Sequence, residues 1–347
     1  MMSQDDLRQK NLFVILGVPR SGTSVIARGL HALGIPFGDH LIPPNEAWNP
    51  KGFWEDEEIV YKINRGVLFA LDHSWMSLPH IKNLCLQSDA VSNLSQKATL
   101  LLQKRFENTE YFGFKDPRTV HILPFWQAIF STLHLQEHYV IALRNPLASA
   151  YSYQRVSQSD IEFGLISWLM HLIPAISETH HKRRIIVSYE LMINRPHQEL
   201  NRIQQYFNLP DLAESKERDI FSNEFLDKKL QHFDQDVEVL KSHEAVAIVP
   251  MCMKMYHLLL RIAKDEITWT SNEFLEEWQQ IKTMFDVYYP CYCYMDRLLK
   301  QNKDLSKKIR TIKKSIPWKM IYPLRIVDDF LRKLRKQARA HRKLQKA

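Results

Sequence analysis

The feature that most constrains the fold is an apolar run followed at once by a glycine-bounded turn and a helical pattern. Residues 12–16 are apolar at every position, as is typical of a strand buried on both faces of a parallel sheet. Residues 17–22 form the turn, and from Thr23 apolar residues recur at helical spacing to about Gly34. This order of strand, turn and helix predicts the first unit of an α/β fold.

Two further strand candidates, at residues 139–143 and 184–188, are also followed by helical patterns. Repetition of this unit predicts a parallel sheet with helices on both faces. Beyond about residue 220 the strand signals stop. Helical patterns follow at residues 222–240, 253–264, 271–285 and 290–310. We therefore predict an α/β fold, with a P-loop-like parallel β-sheet flanked by helices and a C-terminal helical extension.

The positive charge of the chain is concentrated near its end. Residues 301–347 contain 16 Lys and Arg against 3 Asp and Glu, a balance of +13. Since the whole chain carries +8, residues 1–300 carry −5. The chain is therefore a mildly acidic body with a strongly basic tail, and its net charge does not describe a uniformly basic protein.

The tail has an amphipathic pattern after Pro323. Apolar residues recur at intervals of three and four, with Lys and Arg on the other faces: Leu324, Val327, Leu331, Leu334 and Ala338. A basic amphipathic helix of this kind predicts binding to an anionic membrane surface. A solvated helix or a coiled-coil arm is the alternative, and the stripe of leucines argues against a nucleic-acid partner.

Cysteine usage and the apolar runs predict the compartment. The four cysteines form no disulfide framework, and Cys291 and Cys293 lack the two-residue spacer of zinc ribbons and redox motifs. No segment has the pattern of a signal peptide or a transmembrane helix. We expect a cytoplasmic protein, peripheral on the inner face of the membrane if the tail binds there.

The turn at residues 17–24 fits most of the phosphate-loop pattern G-x-x-x-x-G-K-[ST]. Backbone N–H groups and the helix dipole make such a turn a binding site for phosphate or sulfate. Thr23 stands where the pattern has its lysine, which in NTPases and kinases contacts the β- and γ-phosphates beside magnesium. The cation of this loop is Arg20. The departure disfavours a P-loop kinase or NTPase-like phosphotransferase, which stays an alternative together with a non-catalytic membrane-associated nucleotide-binding adapter.

Three segments resemble the sulfotransferase family in the order that family has them. Residues 19–24 (PRSGTS) resemble its 5′-phosphosulfate-binding loop, especially in the carbohydrate and tyrosyl-protein types. Arg144 and Ser152, eight residues apart, are similar to its 3′-phosphate motif, and Tyr189 lies in a stretch similar to the one whose tyrosine contacts adenine. The resemblance implies these nucleotide-binding residues: Pro19, Arg20, Ser21, Gly22, Thr23, Ser24, Arg144, Ser152 and Tyr189.

The resemblance implies an enzyme that transfers a sulfuryl group from 3′-phosphoadenosine 5′-phosphosulfate (PAPS), as co-substrate, to an acceptor hydroxyl. A sulfuryl group carries one charge less than a phosphoryl group, so side chains replace a metal ion and no metal is required. Arg20 is expected to stabilise the leaving phosphate and the transferring group, while Thr23 and Ser24 donate to the 5′-phosphate. The acceptor is expected to be a glycan or a lipid-linked glycan, presented at the membrane.

The catalytic base has two candidates. Glu55 falls in a segment similar to the acidic stretch of the tyrosyl-protein and bacterial branches, and beside Phe53 and Trp54 its pKa is expected to be raised. A solvated acidic turn is the alternative reading. Asp116 stands where cytosolic sulfotransferases have their catalytic histidine, with Lys115 placed to hold the sulfuryl or bridging oxygen.

Asp116 could instead orient Arg118, or residues 115–118 could be only a charged turn. The Arg-Lys-Gly segment with which the cytosolic branch contacts the 3′-phosphate has no counterpart here. The resemblance is therefore to the carbohydrate-type and bacterial branch. For the organisation of the chain we predict a PAPS-binding core at 1–220, a helical extension completing the domain at 221–310, and a basic amphipathic tail at 311–347.

Overall fold

The computed structural model describes residues 7–8, 10–74, 77, 88–226 and 248–320. The chain divides into two compact units, Met1–Cys293 and Tyr294–Ala347. The amphipathic helix predicted after Pro323 lies outside the described residues, as does most of the helix predicted at 222–240. The boundaries predicted at residues 220 and 310 stay predictions.

A sheet of four parallel strands forms the centre of the first unit. Its strands are β1 (Asn11–Leu16), β2 (Tyr111–Lys115), β3 (Gln136–Leu143) and β4 (Arg183–Ser188), in the order β2-β1-β3-β4. Every neighbouring pair is parallel, with Ile15 beside Lys115 in β2 and Val140 in β3. The predicted α/β fold with a parallel sheet flanked by helices is confirmed.

Both faces of the sheet are buried, and β1 shows this through its alternating side chains. Leu12, Val14 and Leu16 belong to one apolar cluster, while Phe13 and Ile15 belong to another on the opposite face. All five side chains are fully buried. A strand covered on both sides needs no polar positions, which explains the unbroken apolar run from which the strand was predicted.

The edge strand β2 was not predicted from sequence. Its five residues include Gly113 and end in Lys115, so it lacks the apolar continuity of the other strands. Gly113 is placed for packing, because a Cβ there would lie 2.8 Å from the ring of Phe37. Its N–H donates to the carbonyl oxygen of Pro36 at 2.8 Å. The interpretation of residues 115–118 as only a charged turn is wrong for Lys115, which ends the strand.

Helices connect and cover the strands. Two of them begin with a tighter or wider turn: a π-helical segment, Glu58–Asn64, precedes α2, and a 3₁₀ segment, Pro117–Ile122, precedes α4. A further π-helical turn, Phe221–Phe225, follows α9. The helices are α1 (Thr23–Ala32), α2 (Arg65–Ala70), α3 (Asp89–Arg105), α4 (Leu123–Thr132), α5 (Pro146–Ser157), α6 (Ile161–Glu178), α7 (Tyr189–Asn194), α8 (Pro196–Phe207), α9 (Ser215–Ile220), α10 (Val249–Ala263), α11 (Asn272–Lys314) and α12 (Ile316–Met320).

The helical extension differs from the prediction in one respect. The helices predicted at 271–285 and 290–310 are a single helix, α11, with Pro290 inside it. Proline removes one backbone hydrogen bond and does not by itself end a helix whose neighbouring turns are packed. Here the ring of Phe285 contacts that of Tyr289, before the proline, and that of Tyr292, after it. The ring centroids are 5.7 and 5.8 Å apart. None of the helices described combines the length and apolarity that crossing a bilayer requires.

Candidate active site

The carboxyl ends of the four strands meet at one edge of the sheet, and a cavity of about 920 Å³ lies within the first unit at this edge. The chain passes from β1 to β2 on one side and later to β3 on the other, which is where open parallel sheets bind ligands. Most of the predicted site residues line the cavity: Pro19, Arg20, Gly22, Thr23, Ser24, Glu55, Lys115, Arg144, Ser152 and Tyr189. Ser21 and Asp116, both fully buried, are not among the lining residues.

The loop after β1 is shaped by its own backbone. Arg20 has a φ of 72° and Gly22 a φ of 86°, both in the left-handed region. A Cβ at Gly22 would lie 2.3 Å from the ring of Tyr189, so only glycine fits there. The hydroxyl of Ser21 donates to the carbonyl oxygen of Val18 at 2.8 Å. Ser21 therefore holds the turn, although the resemblance had it contacting the nucleotide.

The N-terminus of α1 is open toward an anion. Gly22 is its N-cap, no side chain caps the helix, and the first turn contains no acidic residue. The first N–H groups of a helix have no partner within it and carry a partial positive charge. The hydroxyl of Ser24 donates to the carbonyl oxygen of Phe53 at 2.9 Å and accepts from Asn49 at 3.0 Å. Ser24 thus ties the loop to the segment that leads to Glu55.

The predicted nucleotide-binding side chains meet at one end of the cavity, which we call the arginine end and define by Arg20, Arg144, Ser152 and Tyr189. Arg144 follows β3, donates to the carbonyl oxygen of Arg20 at 2.9 Å, and lies 4.5 Å from the ring centroid of Tyr189. Arg20 donates from Nε to the hydroxyl of Ser152 at 3.1 Å and from Nη1 to the carbonyl oxygen of Trp48. Burial, and then the nearby Arg144, lower the pKa of Arg20.

The candidate base lies among a second set of charges, which we call the carboxylate end and define by Glu55, Lys115, Asp116 and Arg118. Glu55 is 5% exposed, and its carboxylate accepts from Lys115 Nζ at 2.5 Å and from Arg118 Nη2 at 3.4 Å. Burial raises the pKa of Glu55, while the two cations oppose that rise. The raised pKa suits a proton acceptor for a hydroxyl.

The surroundings of Glu55 differ from those predicted. The ring of Trp54 faces His31 and Phe225, with centroids 5.2 and 6.3 Å apart, and does not surround the carboxylate. The predicted direction of the pKa shift of Glu55 is right. Its cause is burial of the carboxylate, and Lys115 and Arg118 oppose it. The low exposure of Glu55 also contradicts the reading of a solvated turn.

Asp116 takes the orienting role that the sequence left open. It follows β2, caps the 3₁₀ segment, and is fully buried. Its Oδ1 accepts from the backbone N–H of Arg118 at 3.0 Å and from Arg118 Nε at 2.6 Å. With both contacts on one oxygen, the guanidinium is aimed at Glu55.

Behind Asp116 lies a buried network that sequence reasoning missed. Asn64 donates to Asp116 Oδ2 at 2.9 Å and to the hydroxyl of Thr119 at 3.1 Å. The side-chain oxygen of Asn64, Oδ1, accepts from the indole N–H of Trp126 at 2.8 Å. Asn64 ends the π-helical segment, a type of turn often found at functional sites. No local motif marks it, because its partners are 52 to 62 residues away.

A second buried pair holds the residue next to Glu55. Asp56 Oδ2 accepts from Arg105 Nε at 2.8 Å, and both side chains are nearly inaccessible to solvent. Asp56 Oδ1 accepts from the N–H groups of Glu58 and Ile59, which fixes the start of the π-helical segment. The backbone that presents Glu55 is therefore anchored on its C-terminal side.

Histidine and serine side chains form part of the cavity wall. His121 and His171 line it, with ring centroids 4.5 Å apart, together with Ser167. His171 Nδ1 lies 2.7 Å from the carbonyl oxygen of Ser167, so this nitrogen carries the proton. Burial lowers the pKa of His171 to about 4, which keeps its ring neutral at physiological pH.

Cationic side chains outnumber carboxylates in the cavity wall. Six cationic side chains line it: Arg20, Lys51, Lys115, Arg118, Arg144 and Arg155. Two carboxylates, Glu46 and Glu55, oppose them. Among the residues that the structure describes, no group of three or more His, Cys, Asp or Glu could hold a metal ion. Residues 1–300 carry a net negative charge, so the excess of cations in this cavity is a local feature. Such a local excess would attract an anionic ligand.

Fold and cavity together define a P-loop-like α/β protein with a positively charged cavity and a buried carboxylate in its wall. The model of the sulfotransferase family matches residues 13–214, more than half of the chain. The protein therefore belongs to the sulfotransferase family and is a sulfotransferase by class. The resemblance drawn from the three motifs is confirmed.

Solved structures similar to this chain include two sulfotransferase domains. One is the sulfotransferase domain from the Synechococcus PCC 7002 olefin synthase, with 16% identity, a TM-score of 0.39, and coverage of 82% of this chain and 98% of that one. The other is the sulfotransferase domain from the curacin biosynthetic pathway, with 17% identity, a TM-score of 0.37, and coverage of 60% and 77%. No curated protein matches the chain significantly.

Proposed function

We propose that the protein transfers a sulfuryl group from PAPS to a hydroxyl group of a carbohydrate or lipid-linked glycan. The observation that carries the proposal is that one cavity has Arg20 and Arg144 at one end and the Glu55–Lys115 pair at the other. The first pair suits the phosphates of a nucleotide. The second suits removal of a proton from an acceptor.

The arginine end fits the donor. Among the described residues, Arg20 and Arg144 donate to carbonyl and hydroxyl oxygens and have no carboxylate partner, so both can bind phosphate. The N–H groups at the start of α1, that of Ser24 among them, would hold the 5′-phosphate together with the hydroxyl of Thr23. The hydroxyl of Ser24, which the sequence predicted as a donor to this phosphate, already donates to the carbonyl oxygen of Phe53. Arg144 and Ser152 would hold the 3′-phosphate, with Tyr189 beside the adenine. When bound, PAPS supplies an activated sulfuryl group joined to phosphate through a bridging oxygen.

The carboxylate end fits the acceptor. Glu55 would take the proton of the incoming hydroxyl, as its raised pKa favours. Lys115, 2.5 Å from the same carboxylate, would stabilise the charge on the sulfuryl oxygens, and Arg20 the charge on the leaving phosphate. Asp116 would keep Arg118 in place without touching the substrate. Proton removal and stabilisation of the sulfuryl oxygens would then fall to two buried side chains in direct contact, Glu55 and Lys115.

A carbohydrate acceptor agrees with the uncharged part of the wall. Ser167 and the neutral ring of His171 offer hydrogen-bonding groups, and the stacked rings of Tyr153 and Phe163, with centroids 6.0 Å apart, offer an apolar face. Hydroxyl-rich ligands combine the same two properties.

We further propose that the basic tail brings the enzyme to the cytoplasmic face of a membrane. Flotation with anionic vesicles should recover the full chain and not a chain that lacks residues 318–347. Equal flotation of the two would refute this part of the proposal without affecting the activity.

Calorimetry tests the donor. The full chain should bind 3′-phosphoadenosine 5′-phosphate equally well with magnesium and with a chelator present, and should bind ATP weakly in both. Arg144→Ala should lose most of this affinity, whereas Arg65→Ala is the matched control, since Arg65 is exposed and does not line the cavity. Magnesium-dependent binding of ATP with no binding of the adenosine bisphosphate would contradict the proposal and favour a phosphotransferase.

A further inference from the structure

The second unit carries an apolar seam along the last part of α11. From Met295 onward, six positions follow one another at intervals of three and four: Met295, Leu298, Asn302, Leu305, Ile309 and Ile312. Ile316, four residues further, continues the spacing into α12. We call these seven residues the seam. Spacing of this kind keeps one side of a helix facing a partner helix in a coiled coil.

The aliphatic side chains of the seam are open to solvent. Leu298 is 45% exposed, Leu305 55%, Ile309 51%, Ile312 52% and Ile316 73%. Among the residues of the second unit whose burial is described, none is buried. By contrast, the buried side chains of α11 all belong to the first unit: Phe274, Ile281, Phe285 and Tyr292.

A helix with no buried face is marginal in water, because helices in proteins are stabilised mainly by packing an apolar side. The seam is therefore expected to have a partner. Its residue types say which partner fits. In heptad notation Leu298, Leu305 and Ile312 occupy the d positions, while Met295, Asn302 and Ile309 occupy the a positions. The combination of Ile309 at a with Leu305 at d is one that favours two strands in a parallel coiled coil.

Asn302 decides between the possible arrangements. In a parallel pair in register, it faces Asn302 of the other helix, and the two amides can donate to and accept from each other. In an antiparallel pair, a positions face d positions, so Asn302 would lie unpaired against leucine. We infer that a second copy of this chain covers the seam, in a parallel, in-register, two-stranded coiled coil.

The flanking positions set the strength of the pair. In the parallel register Tyr294 would lie beside Leu299 of the other copy, which extends the apolar contact, and Gln301 beside Ser306. Lys308 would lie beside Lys313 of the other copy, a like-charge contact that weakens the pair. The apolar area removed from water is on the order of 1,000 Å², near the lower limit of specific interfaces. The dimer is therefore weak and depends on concentration.

Sedimentation of the full chain over a wide concentration range tests the inference. A monomer–dimer equilibrium is expected, and Leu305→Lys should abolish it while leaving nucleotide affinity unchanged, which shows that the first unit is folded. Lys307→Ala is the matched control, since Lys307 lies on the opposite side of the helix. Lys308→Glu should tighten the dimer by about fivefold, because each like-charge contact becomes an ion pair with Lys313.

Cross-linking tests the register. In a chain with Cys291→Ser and Cys293→Ser, Asn302→Cys should form a disulfide between two copies on mild oxidation, whereas Lys307→Cys should not. A chain that stays monomeric at every concentration overturns the inference. So does a dimer that Leu305→Lys leaves intact, or one that Lys308→Glu weakens. A chain that becomes dimeric only when residues 321–347 are removed would show that its own tail covers the seam. None of these outcomes bears on the sulfotransferase activity.

Discussion

The two ends of the cavity use the same kinds of side chain in opposite ways. At the arginine end, Arg20 and Arg144 donate to carbonyl and hydroxyl oxygens, and no carboxylate among the described residues neutralises them. At the carboxylate end, Lys115 and Arg118 both contact Glu55. An unneutralised pair of cations attracts an anionic ligand, whereas a neutralised set holds a carboxylate that can accept a proton.

The energetic consequence is also opposite. Arg20 and Arg144 are half-buried and lie near each other without an anion, so phosphates that arrive at the arginine end should relieve their mutual repulsion. The carboxylate end is already paired, and a change of charge there disturbs neighbours on several elements. Variants at the two ends should therefore separate binding from turnover.

The largest effect is expected from Glu55→Gln. Because the amide cannot take the proton of the acceptor, turnover should fall by about a hundredfold or more. The affinity for 3′-phosphoadenosine 5′-phosphate, measured by calorimetry, should stay within a factor of about two, since Glu55 is not expected to contact the nucleotide. Separate measurement of kcat and nucleotide affinity checks both statements.

Asp116→Asn is the comparison for that variant. Asp116 does not line the cavity, so its replacement should lower turnover less than Glu55→Gln does and should reduce thermal stability more. If Asp116→Asn abolishes turnover while Glu55→Gln retains it, the base has been assigned to the wrong carboxylate.

A smaller effect is expected from Arg144→Ala. Loss of charge-assisted hydrogen bonds worth about 1.5 to 3 kcal/mol should weaken nucleotide binding by about ten- to a hundredfold. At saturating PAPS, kcat should change little, because Arg144 is expected to hold the 3′-phosphate and not the transferring group. A fall in kcat with unchanged nucleotide affinity in Arg144→Ala would contradict the assignment of nucleotide binding to the arginine end.

The smallest effect concerns pH. Activity needs ionised Glu55, so kcat/KM should fall as the pH is lowered through its raised pKa, above the ordinary glutamate range. Arg118→Gln removes a cation that favours the ionised form, so the pKa should rise further and the acidic limb should move to higher pH. A pH–rate profile of wild type and variant checks the direction. An acidic limb that moves to lower pH would contradict the role given to Arg118.

The sequence was most informative where the site is contiguous. The loop at residues 17–24 lies between a buried strand and a helix, so its anion-binding character could be inferred from spacing alone. Arg144 could be placed because it follows a continuous apolar strand. The parallel sheet followed from the same runs, since a strand covered on both faces is apolar throughout.

The parts that could not be predicted depend on distant residues. The apolar pattern of strand β2 is interrupted by Gly113. A glycine is needed there because the ring of Phe37 leaves no room for a side chain. Asn64 gains its role from Asp116 and Trp126, which reach it only after the sheet and α4 have packed. A local sequence pattern does not indicate such contacts. The hydrogen-bond network of Asn64 and Asp116 could therefore be identified only from the structure.

Transfer of label is the most direct test of the central claim. The full chain should be incubated with radiolabelled PAPS, a chelator, and separate extracts of lipids, glycans and small molecules. The account predicts transfer of labelled sulfate to a carbohydrate-containing acceptor, with transfer reduced by about a hundredfold in Glu55→Gln. Absence of any labelled product from PAPS, together with phosphate transfer from ATP in the presence of magnesium, would contradict it.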